Sequence, residues 1–233
     1  MRVLAVGAHP DDIEILSAGT LAKYAADGHE IVMCHVSIGD KGHFHIPNEK
    51  LAEIRRKEAL LSASRIGAES VTLGLPDCAV FNDLPTLTLF IDLMRSAKPD
   101  VIITHSPTDY MPDHVVVGQL VYDASFHATL PNWKTSLPPS EKVPPIYCMD
   151  NVAGVDFTPT EYVDISEFIE TKKAMMECHQ SQVVWLKEHD NLDIVDFIET
   201  CAKYRGIQCG VPFAEAFQTV NRWPRLRTER LLP

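Results

Sequence analysis

The residues best suited to chemistry lie in the stretch Ala8-His9-Pro10-Asp11-Asp12-Ile13-Glu14, directly after an apolar run at residues 3–7. A histidine and two adjacent carboxylates at the end of a buried strand would stand at the carboxyl edge of a sheet, where open α/β folds bind ligands. His9 and Asp12 are three residues apart, so a single turn brings both side chains to one point. We expect the chemistry of this chain, if it is an enzyme, to begin here.

These residue types and their spacing suit a hydrolytic metal site. Such a site needs about three protein ligands, commonly imidazole nitrogens and carboxylate oxygens, and an open position for water. His9 and Asp12 supply two, and the best candidate for the third is His114, in the first turn of a predicted helix after the fourth strand. Asp11 is left beside them as a carboxylate that could move a proton. Taken singly, each motif could merely begin a helix, but their joint placement at two strand ends favours a metal.

The elements that would position these residues alternate between strand and helix. Their order predicts an α/β, Rossmann-like fold, with a mostly parallel sheet and helices on both faces, in a single domain over residues 1–233. A loop is expected at 130–145, which holds five of the sixteen prolines, and residues 206–217 are expected to turn back towards the body. The predicted strands are 3–7, 30–36, 71–73, 100–105, 146–149 and 161–165, and the predicted helices are 18–26, 49–66, 84–97, 113–124, about 166–177 and 192–205.

Composition excludes several classes of function. The net charge of −11 argues against a nucleic-acid partner, because such partners require a basic face. No window reaches the roughly 18 consecutive apolar residues of a membrane span, and the six cysteines form no C-x-x-C pair, so we expect a cytoplasmic protein with reduced thiols. A nucleotide-binding Rossmann protein is a weak alternative, because Gly7-Ala8-His9-Pro10 stands where a glycine-rich turn would be needed.

The opening motif, with Gly19-Thr20-Leu21 behind it, resembles the signature of the LmbE/PIG-L family of zinc-dependent amidohydrolases, which remove acetyl groups from N-acetylglucosamine conjugates. Further blocks resemble the family in the same order, so the resemblance runs from residue 3 to about 217. These blocks are Arg55-x-x-Glu58-Ala59 with Ile66-Gly67, Leu75-Pro76-Asp77, Pro112-Asp113-His114-x-x-x-Gly118, Val163-Asp164-Ile165-Ser166, Lys172, His179-x-Ser181-Gln182 and Ala214-Glu215-Ala216-Phe217.

The resemblance implies that His9, Asp12 and His114 bind Zn²⁺, or another divalent metal, and that Asp11 is the general base. Water activated by the metal would attack the acetyl carbonyl, and protonated Asp11 would pass its proton to the departing amine. Arg55 would bind the sugar or its conjugate, although an exposed helix charge is the alternative for this residue. The implied partner is a small amino-sugar substrate, and family members that form closed homo-oligomers suggest a homo-oligomer here.

Met111 departs from the family, whose block before the third ligand reads His-Pro-Asp-His. In the family that first histidine is thought to stabilise the oxyanion or to assist proton transfer, and methionine cannot donate a hydrogen bond. Because losing one oxyanion donor typically slows a reaction by about a hundredfold, the alternative hypothesis is a metal-binding member with weakened or redirected hydrolase activity. Tyr110, His43 or His45 could replace the missing donor, and Tyr110 and Met111 are predicted to line the substrate site.

Other edge residues could support the site without binding the metal. His105, at the end of the fourth strand, and Asp113 could hydrogen-bond to metal ligands. His179, with Ser181 and Gln182, either borders the substrate cleft or caps a helix end, and the sequence leaves both open.

Overall fold

The computed structural model describes residues 1–233, which fold into seven strands and seven α-helices. The strands are β1 (Arg2–Gly7), β2 (Glu30–Ser37), β3 (Glu69–Leu75), β4 (Val101–Thr104), β5 (Ile146–Met149), β6 (Glu161–Asp164) and β7 (Ala214–Thr219). The helices are α1 (Asp12–Ala26), α2 (Asn48–Ser64), α3 (Leu84–Ala97), α4 (Pro112–His127), α5 (Ile169–Met176), α6 (Gln180–Asp190) and α7 (Ile194–Cys209).

All seven strands belong to one sheet, in the spatial order β3-β2-β1-β4-β5-β7-β6. The first five strands pair in parallel, and β7 pairs antiparallel with both β5 and β6. This arrangement confirms the predicted mostly parallel α/β sheet. Strands and helices alternate in the first half of the chain. This order fits parallel pairing, because two parallel strands need a crossover connection, usually a helix, between them.

Both faces of the sheet are covered by helices. Along β1, Val3 and Ala5 belong to a core cluster of 21 buried residues, and Leu4 and Val6 belong to another of 19. Since successive side chains of a strand point to opposite faces, the two clusters lie on opposite sides of the sheet. The first is filled mainly from α1 and α5, and the second from α3 and α4.

The order of the strands creates a crevice between β1 and β4. The chain proceeds outward from β1 through β2 to β3 on one side, and through β4 to β5 on the other. Ligands of open α/β sheets bind outside the carboxyl ends of the strands at such a reversal. The segments that follow β1 and β4, at residues 8–12 and 105–114, therefore meet at this crevice.

Several expectations about individual elements are corrected by the structure. The first helix begins at Asp12, six residues before the predicted start, and both α6 and the strand β7 lie where no regular element was predicted. Apolar character and spacing would place Leu60 of α2 in the core, yet it is 44% exposed. The buried side of this helix includes the polar residues Arg55 and Ser62, so apolar spacing alone misplaced its inner face.

No helix has both the length and the apolar character needed to cross a membrane. None of the six cysteines is in a disulfide. Cys34, Cys148 and Cys178 are buried, where a thiol packs as a small apolar side chain.

Candidate active site

The structure brings His9, Asp12 and His114 together at the carboxyl ends of β1 and β4. One potential ligand atom from each residue lies within 4.8 Å of the others. The two oxygens of Asp12 face different histidines, with Oδ2 3.3 Å from Nδ1 of His9 and Oδ1 3.3 Å from Nε2 of His114. Asp12 and His114 are buried, and His9 is half-buried, so the cluster opens to solvent mainly beside His9.

In His9 and His114, the ring nitrogen that faces away from Asp12 lies beside another carboxylate. We call it the outer nitrogen. Nε2 of His9 lies 3.2 Å from Oδ2 of Asp113, and Nδ1 of His114 lies 3.0 Å from Oδ2 of Asp109. Because a carboxylate can only accept, these contacts place N–H groups on the outer nitrogens and direct His9 Nδ1 and His114 Nε2 towards Asp12. Carboxylates that orient metal-binding imidazoles are usual around such sites.

This tautomer also discriminates between two possible donor sets. His105, Asp109 and His114 form another group with metal-ligand spacing. In that set, however, Asp109 and Nδ1 of His114 are already engaged with each other in a hydrogen bond of 3.0 Å. The Nε2 atom of His114 is buried and has no hydrogen-bond partner in the protein. A buried imidazole nitrogen without a hydrogen-bond partner fits a cation coordinated by His9, Asp12 and His114.

His105 supports the cluster from behind. Its ring stacks on that of His114 at a centroid distance of 3.7 Å, and its Nε2 accepts a hydrogen bond from the Ala8 backbone N–H at 3.0 Å. Burial and the neighbouring His114 charge lower the pKa of His105 to about 4. A neutral imidazole therefore braces His114 and fixes the backbone immediately before His9.

Asp11 lies beside the donor cluster and forms an ion pair with Arg55. The Nη2 atom of Arg55 is 3.1 Å from Oδ2 of Asp11 and donates to the Pro10 carbonyl at 2.9 Å. Arg55 is only 3% exposed, which rules out the exposed helix charge considered from the sequence. Its contact with a substrate stays a prediction, since the buried guanidinium is already engaged with Asp11.

The carboxylates of Asp11 and Asp12 are neighbours in the chain, yet their environments push their pKa values apart. Burial raises the pKa of Asp11, although Arg55 opposes the shift. For Asp12 burial acts in the same direction, but the charges of His114 and His9 outweigh it and hold the pKa well below its usual range. Asp12 is thus suited to bind a cation, and Asp11 to exchange a proton.

A buried polar cluster lies behind this site and includes residues whose role the sequence left open. Glu14, one turn after Asp11 in the chain, accepts from Ser62 Oγ at 2.5 Å, and its Oε1 atom is 3.0 Å from Nε2 of His179. Its other oxygen is 3.5 Å from Nε2 of His35. His179 occupies the N-cap position of α6, but its side chain makes no capping hydrogen bond and is fully buried. That His179 borders a substrate cleft stays a prediction.

The residues proposed to replace the missing histidine lie outside the donor cluster. Tyr110 is 51% exposed, and its hydroxyl donates to the Val152 carbonyl at 3.4 Å. Met111 begins α4, and its backbone N–H donates to Asp109. His43 and His45 belong to an aromatic group with Trp185 on α6. Substrate contacts by Tyr110 and Met111 therefore stay predictions.

Asp109 is the main residue of the site that sequence reasoning missed. It lies in an irregular loop five residues before His114, and no motif marks it. Its two oxygens bind the His114 ring and the Met111 N–H. Only the folded loop shows that one carboxylate fixes both the start of α4 and the orientation of a candidate ligand.

Comparison with known proteins places this geometry in a family. The family model PIG-L, described as GlcNAc-PI de-N-acetylase, matches residues 4–125, which is more than half of the chain. The chain belongs to the PIG-L family. The matched region contains all three candidate ligands as well as Asp11, Arg55 and Asp109.

Relatives of this PIG-L family member carry two kinds of activity in their names. A diacetylchitobiose deacetylase from Thermococcus kodakarensis is 25% identical, covering 94% of this chain and 83% of its own. A 4-oxalmesaconate hydratase from Pseudomonas putida is 26% identical, covering 98% of this chain and 91% of its own. The structure of N,N'-diacetylchitobiose deacetylase from Pyrococcus horikoshii superposes with a TM-score of 0.83 at 26% identity, covering 94% of this chain and 83% of that one. The family and its deacetylase relatives indicate N-deacetylation of amino-sugar conjugates.

Proposed function

We propose that this protein is a divalent-metal hydrolase, with Zn²⁺ as the expected ion, that removes the N-acetyl group from an N-acetylglucosamine-type conjugate. The observation that carries the proposal is the position of Asp11 beside the cluster of His9, Asp12 and His114. A cation held by those three residues would supply Lewis acidity to the amide carbonyl and lower the pKa of water in the site. The chain itself must then supply proton transfer, orientation and a partly closed pocket.

Asp11 is proposed to perform the proton transfers. The pKa of Asp11 is raised, which brings it closer to neutral pH. A pKa near the working pH favours a group that must first accept a proton as a base and later donate it as an acid. The carboxylate would take a proton from the attacking water and return it to the amine nitrogen as the C–N bond breaks. Arg55 holds the Asp11 side chain in place and limits how far its pKa can rise.

Metal analysis and a substrate panel test this proposal. The purified protein should bind about one Zn²⁺ per chain and release amine from N-acetylglucosamine conjugates, including N,N'-diacetylchitobiose. Asp11→Asn should keep the metal and lose about 10²–10⁴-fold in rate, the usual contribution of a general base. A protein that cannot acquire a divalent metal, or an Asp11→Asn variant with full activity, would contradict the proposal.

The variant Met111→His tests whether the natural protein is a fully active hydrolase or one weakened by the loss of the family's histidine. If a missing donor limits the natural protein, the variant should gain up to about a hundredfold in rate. Good activity in the natural protein with no gain in the variant would instead mean that this chain does not need the histidine.

A hydratase acting on an unsaturated carboxylic acid is the second candidate. It is favoured by the hydratase relative, whose match covers nearly the full length of both chains. Water activated beside a general base can attack an alkene carbon as well as an amide carbonyl, so the same residues suit both reactions. Loss of ultraviolet absorbance from 4-oxalmesaconate, without amine release from any acetylated sugar, would favour this candidate.

The compartment and the assembly are also proposals. The scattered, unpaired cysteines suit the reducing cytoplasm, and we propose a homo-oligomer on the basis of the family resemblance. Light scattering on the purified protein tests the assembly.

A further inference from the structure

We propose that His43, Phe44, Trp185 and His189 form a second subsite, called here the aromatic wall, which binds a pyranose ring linked to the sugar that carries the reacting amide. The inference rests on the proposed function and extends it, because it assigns the site to a substrate of at least two rings. Neither the metal cluster nor the general base uses these four residues.

The wall consists of rings in mutual contact. Trp185 is at its centre, with the Phe44 ring at 4.5 Å and the His189 ring at 4.4 Å between centroids. The His189 ring is nearly parallel to the indole, at 24°, and the His43 ring lies on the indole at 6.5 Å and 29°. Phe44 is nevertheless 54% exposed. Aromatic side chains with free surface are among the groups that line ligand sites.

The wall is connected to the catalytic region through partly buried polar contacts and two helices. Arg55, which pairs with Asp11, is on α2 one turn before Glu58. Glu58 accepts from the backbone N–H of Ser181 at 2.8 Å and from its hydroxyl at 2.6 Å. Trp185 follows Ser181 by one turn of α6, which is about 6 Å along the helix axis. A short chain of contacts therefore connects the general base to the centre of the wall.

The loop that carries His43 and Phe44 is anchored at the same edge of the sheet. It leaves the carboxyl end of β2, and Asp77 accepts from its backbone N–H groups at Gly39 and Lys41, at 3.0 and 3.2 Å. Gly39 also packs directly on Arg55, where a Cβ atom would lie 2.5 Å from the Arg55 Cδ. Farther along, the Gly42 carbonyl accepts from Gln182 of α6 at 3.4 Å. The loop is thus joined to α6 and also packs on the arginine that pairs with Asp11.

The chemistry of the wall suits a sugar ring better than a charged ligand. Lys41 forms an ion pair with Asp40, and Nδ1 of His189 lies 2.8 Å from the Asp190 carboxylate, so both side chains already have a partner. His43 Nδ1 accepts the backbone N–H groups of His45 and Ile46, which leaves Nε2–H of the His43 ring as a donor for a hydroxyl. Flat apolar faces with a hydrogen-bond donor at the rim match a pyranose, which has C–H groups on its faces and hydroxyls at its edge.

A second copy of this chain is a poorer occupant. Stable protein interfaces bury about 1,200–2,000 Å² in total, whereas an aromatic side chain contributes about 150–250 Å² even when it is fully buried. In the wall, most of the Trp185 surface is already covered by its neighbours. The aromatic surface that remains exposed is large enough for one ring of a ligand but too small for a stable subunit interface.

The test compares a one-ring and a two-ring substrate in wall and control variants. The ratio of kcat/KM for N,N'-diacetylchitobiose to that for N-acetylglucosamine should fall about tenfold in Trp185→Ala, mostly through KM, and recover in part in Trp185→Phe. The matched control is Trp223→Ala, since Trp223 is 81% exposed in the C-terminal segment and its loss should change neither activity nor the ratio. An unchanged ratio in Trp185→Ala would overturn the proposal.

A binding measurement keeps this test independent of catalysis. Calorimetric titration of Asp11→Asn with N,N'-diacetylchitobiose should give a Kd about tenfold lower than the same titration of Asp11→Asn/Trp185→Ala. If the natural protein deacetylates neither sugar, the proposed function fails, and the titration still decides the subsite. Equal binding by both variants would overturn the proposed subsite. A changed molar mass of Trp185→Ala in light scattering would also overturn it, because it would show that Trp185 lies in a subunit contact.

Discussion

At the scale of single residues, the site depends on two carboxylates, each of which holds the outer nitrogen of one histidine. Asp113 faces His9 and Asp109 faces His114, so that each ring presents its other nitrogen to Asp12. Asp113 is also held by the Cys78 N–H at 3.0 Å, and Asp109 by the Met111 N–H at 3.0 Å. The orientation of the candidate ligands is therefore fixed by the loops around them.

Removing the charge at Asp109 should weaken metal binding without unfolding the protein. Asp109→Asn keeps the shape of the side chain but not the strong acceptor for His114 Nδ1–H, so we expect the affinity for Zn²⁺ to fall about 10–100-fold. Competition with a chromophoric chelator measures this affinity. Asp123→Asn is the matched control, because Asp123 accepts only from Gln119 on the same helix. Equal affinities in both variants would show that Asp109 does not orient His114.

Metal binding should release protons from both histidines. In the metal-free protein burial opposes charge on the rings, but Asp12 and the outer carboxylates outweigh it and raise the pKa of His9 to about 11 and that of His114 to about 9. Near pH 7, each bound metal should displace about two protons, and the apparent affinity should rise about a hundredfold per pH unit. Calorimetry in buffers of different ionisation enthalpy counts the protons, and a count near zero would contradict this assignment.

The same raised pKa values predict how the metal-free protein responds to pH. Each histidine stabilises the fold fully below its unfolded pKa of about 6.5, and this contribution is lost as the pH rises through about 9 for His114 and about 11 for His9. Saturating metal should abolish this loss over that range. Urea unfolding with and without Zn²⁺ measures the difference.

The sequence pattern picks out candidate residues that the structure brings together where they lie in one compact motif, and it misses residues that only the folded loops bring close. His9, Asp11 and Asp12 were identifiable because a strand end and a turn hold them together, and His114 because it begins a helix after β4. Asp109 and the inward direction of Arg55 depend on loop geometry and on which face of α2 packs, neither of which apolar spacing determines.

At the scale of elements, α4 positions His114 only because it approaches the loop after β4 very closely. Gly118 allows this approach, since a Cβ atom at that position would lie 2.7 Å from the His105 carbonyl oxygen and 3.1 Å from the Pro107 nitrogen. Both contacts are with backbone atoms, which cannot rotate away. A glycine in the middle of the helix, costly for helix formation by about 1 kcal/mol relative to alanine, is thus explained by packing.

Gly118→Ala should therefore destabilise the protein despite the better helix propensity of alanine. Overpacking costs about 1–3 kcal/mol, so we expect a net loss in the free energy of unfolding and a lower affinity for Zn²⁺ as the loop carrying His105 and Asp109 moves. Thermal unfolding and chelator competition measure the two effects. Gln119→Ala, at the next position, is the control, and higher stability in Gly118→Ala would mean that the loop yields freely.

The elements that the sequence did not predict share a physical cause. β7 pairs between β5 and β6, two strands that come much earlier in the chain, and it follows a short turn that contains Gly210 and Pro212. α6 is mostly exposed and has only two buried residues, Ser181 and Gln182, so it has no apolar stripe. Tertiary contacts, and not local pattern, define both.

At the scale of the whole molecule, the C-terminal part holds the helix that carries the site. Glu215 on β7 accepts from the backbone N–H groups of Gly19 at 3.0 Å and Thr20 at 2.7 Å, in the middle of α1. Lys172 on α5 donates to Glu215 at 2.5 Å and to the Ile15 carbonyl at 2.8 Å. Two sequence blocks 43 residues apart thus form one buried ion pair that secures α1, whose first residue is Asp12.

Breaking this pair from one side should be far more damaging than replacing both charges. Lys172→Met leaves Glu215 buried and uncompensated, which costs about 3–5 kcal/mol in the free energy of unfolding. In Lys172→Met/Glu215→Leu the unpaired charge is gone, but the Gly19 and Thr20 N–H groups lose their acceptor, so only part of the stability should return. Urea unfolding measures both variants, with Lys173→Met as the control, since Lys173 pairs at the surface with Glu170 and Glu199 and surface pairs contribute little. If the double variant is no more stable than Lys172→Met, the expectation is contradicted. The pair would then stabilise the fold through the hydrogen bonds of Glu215 to α1 and not through the balance of charge.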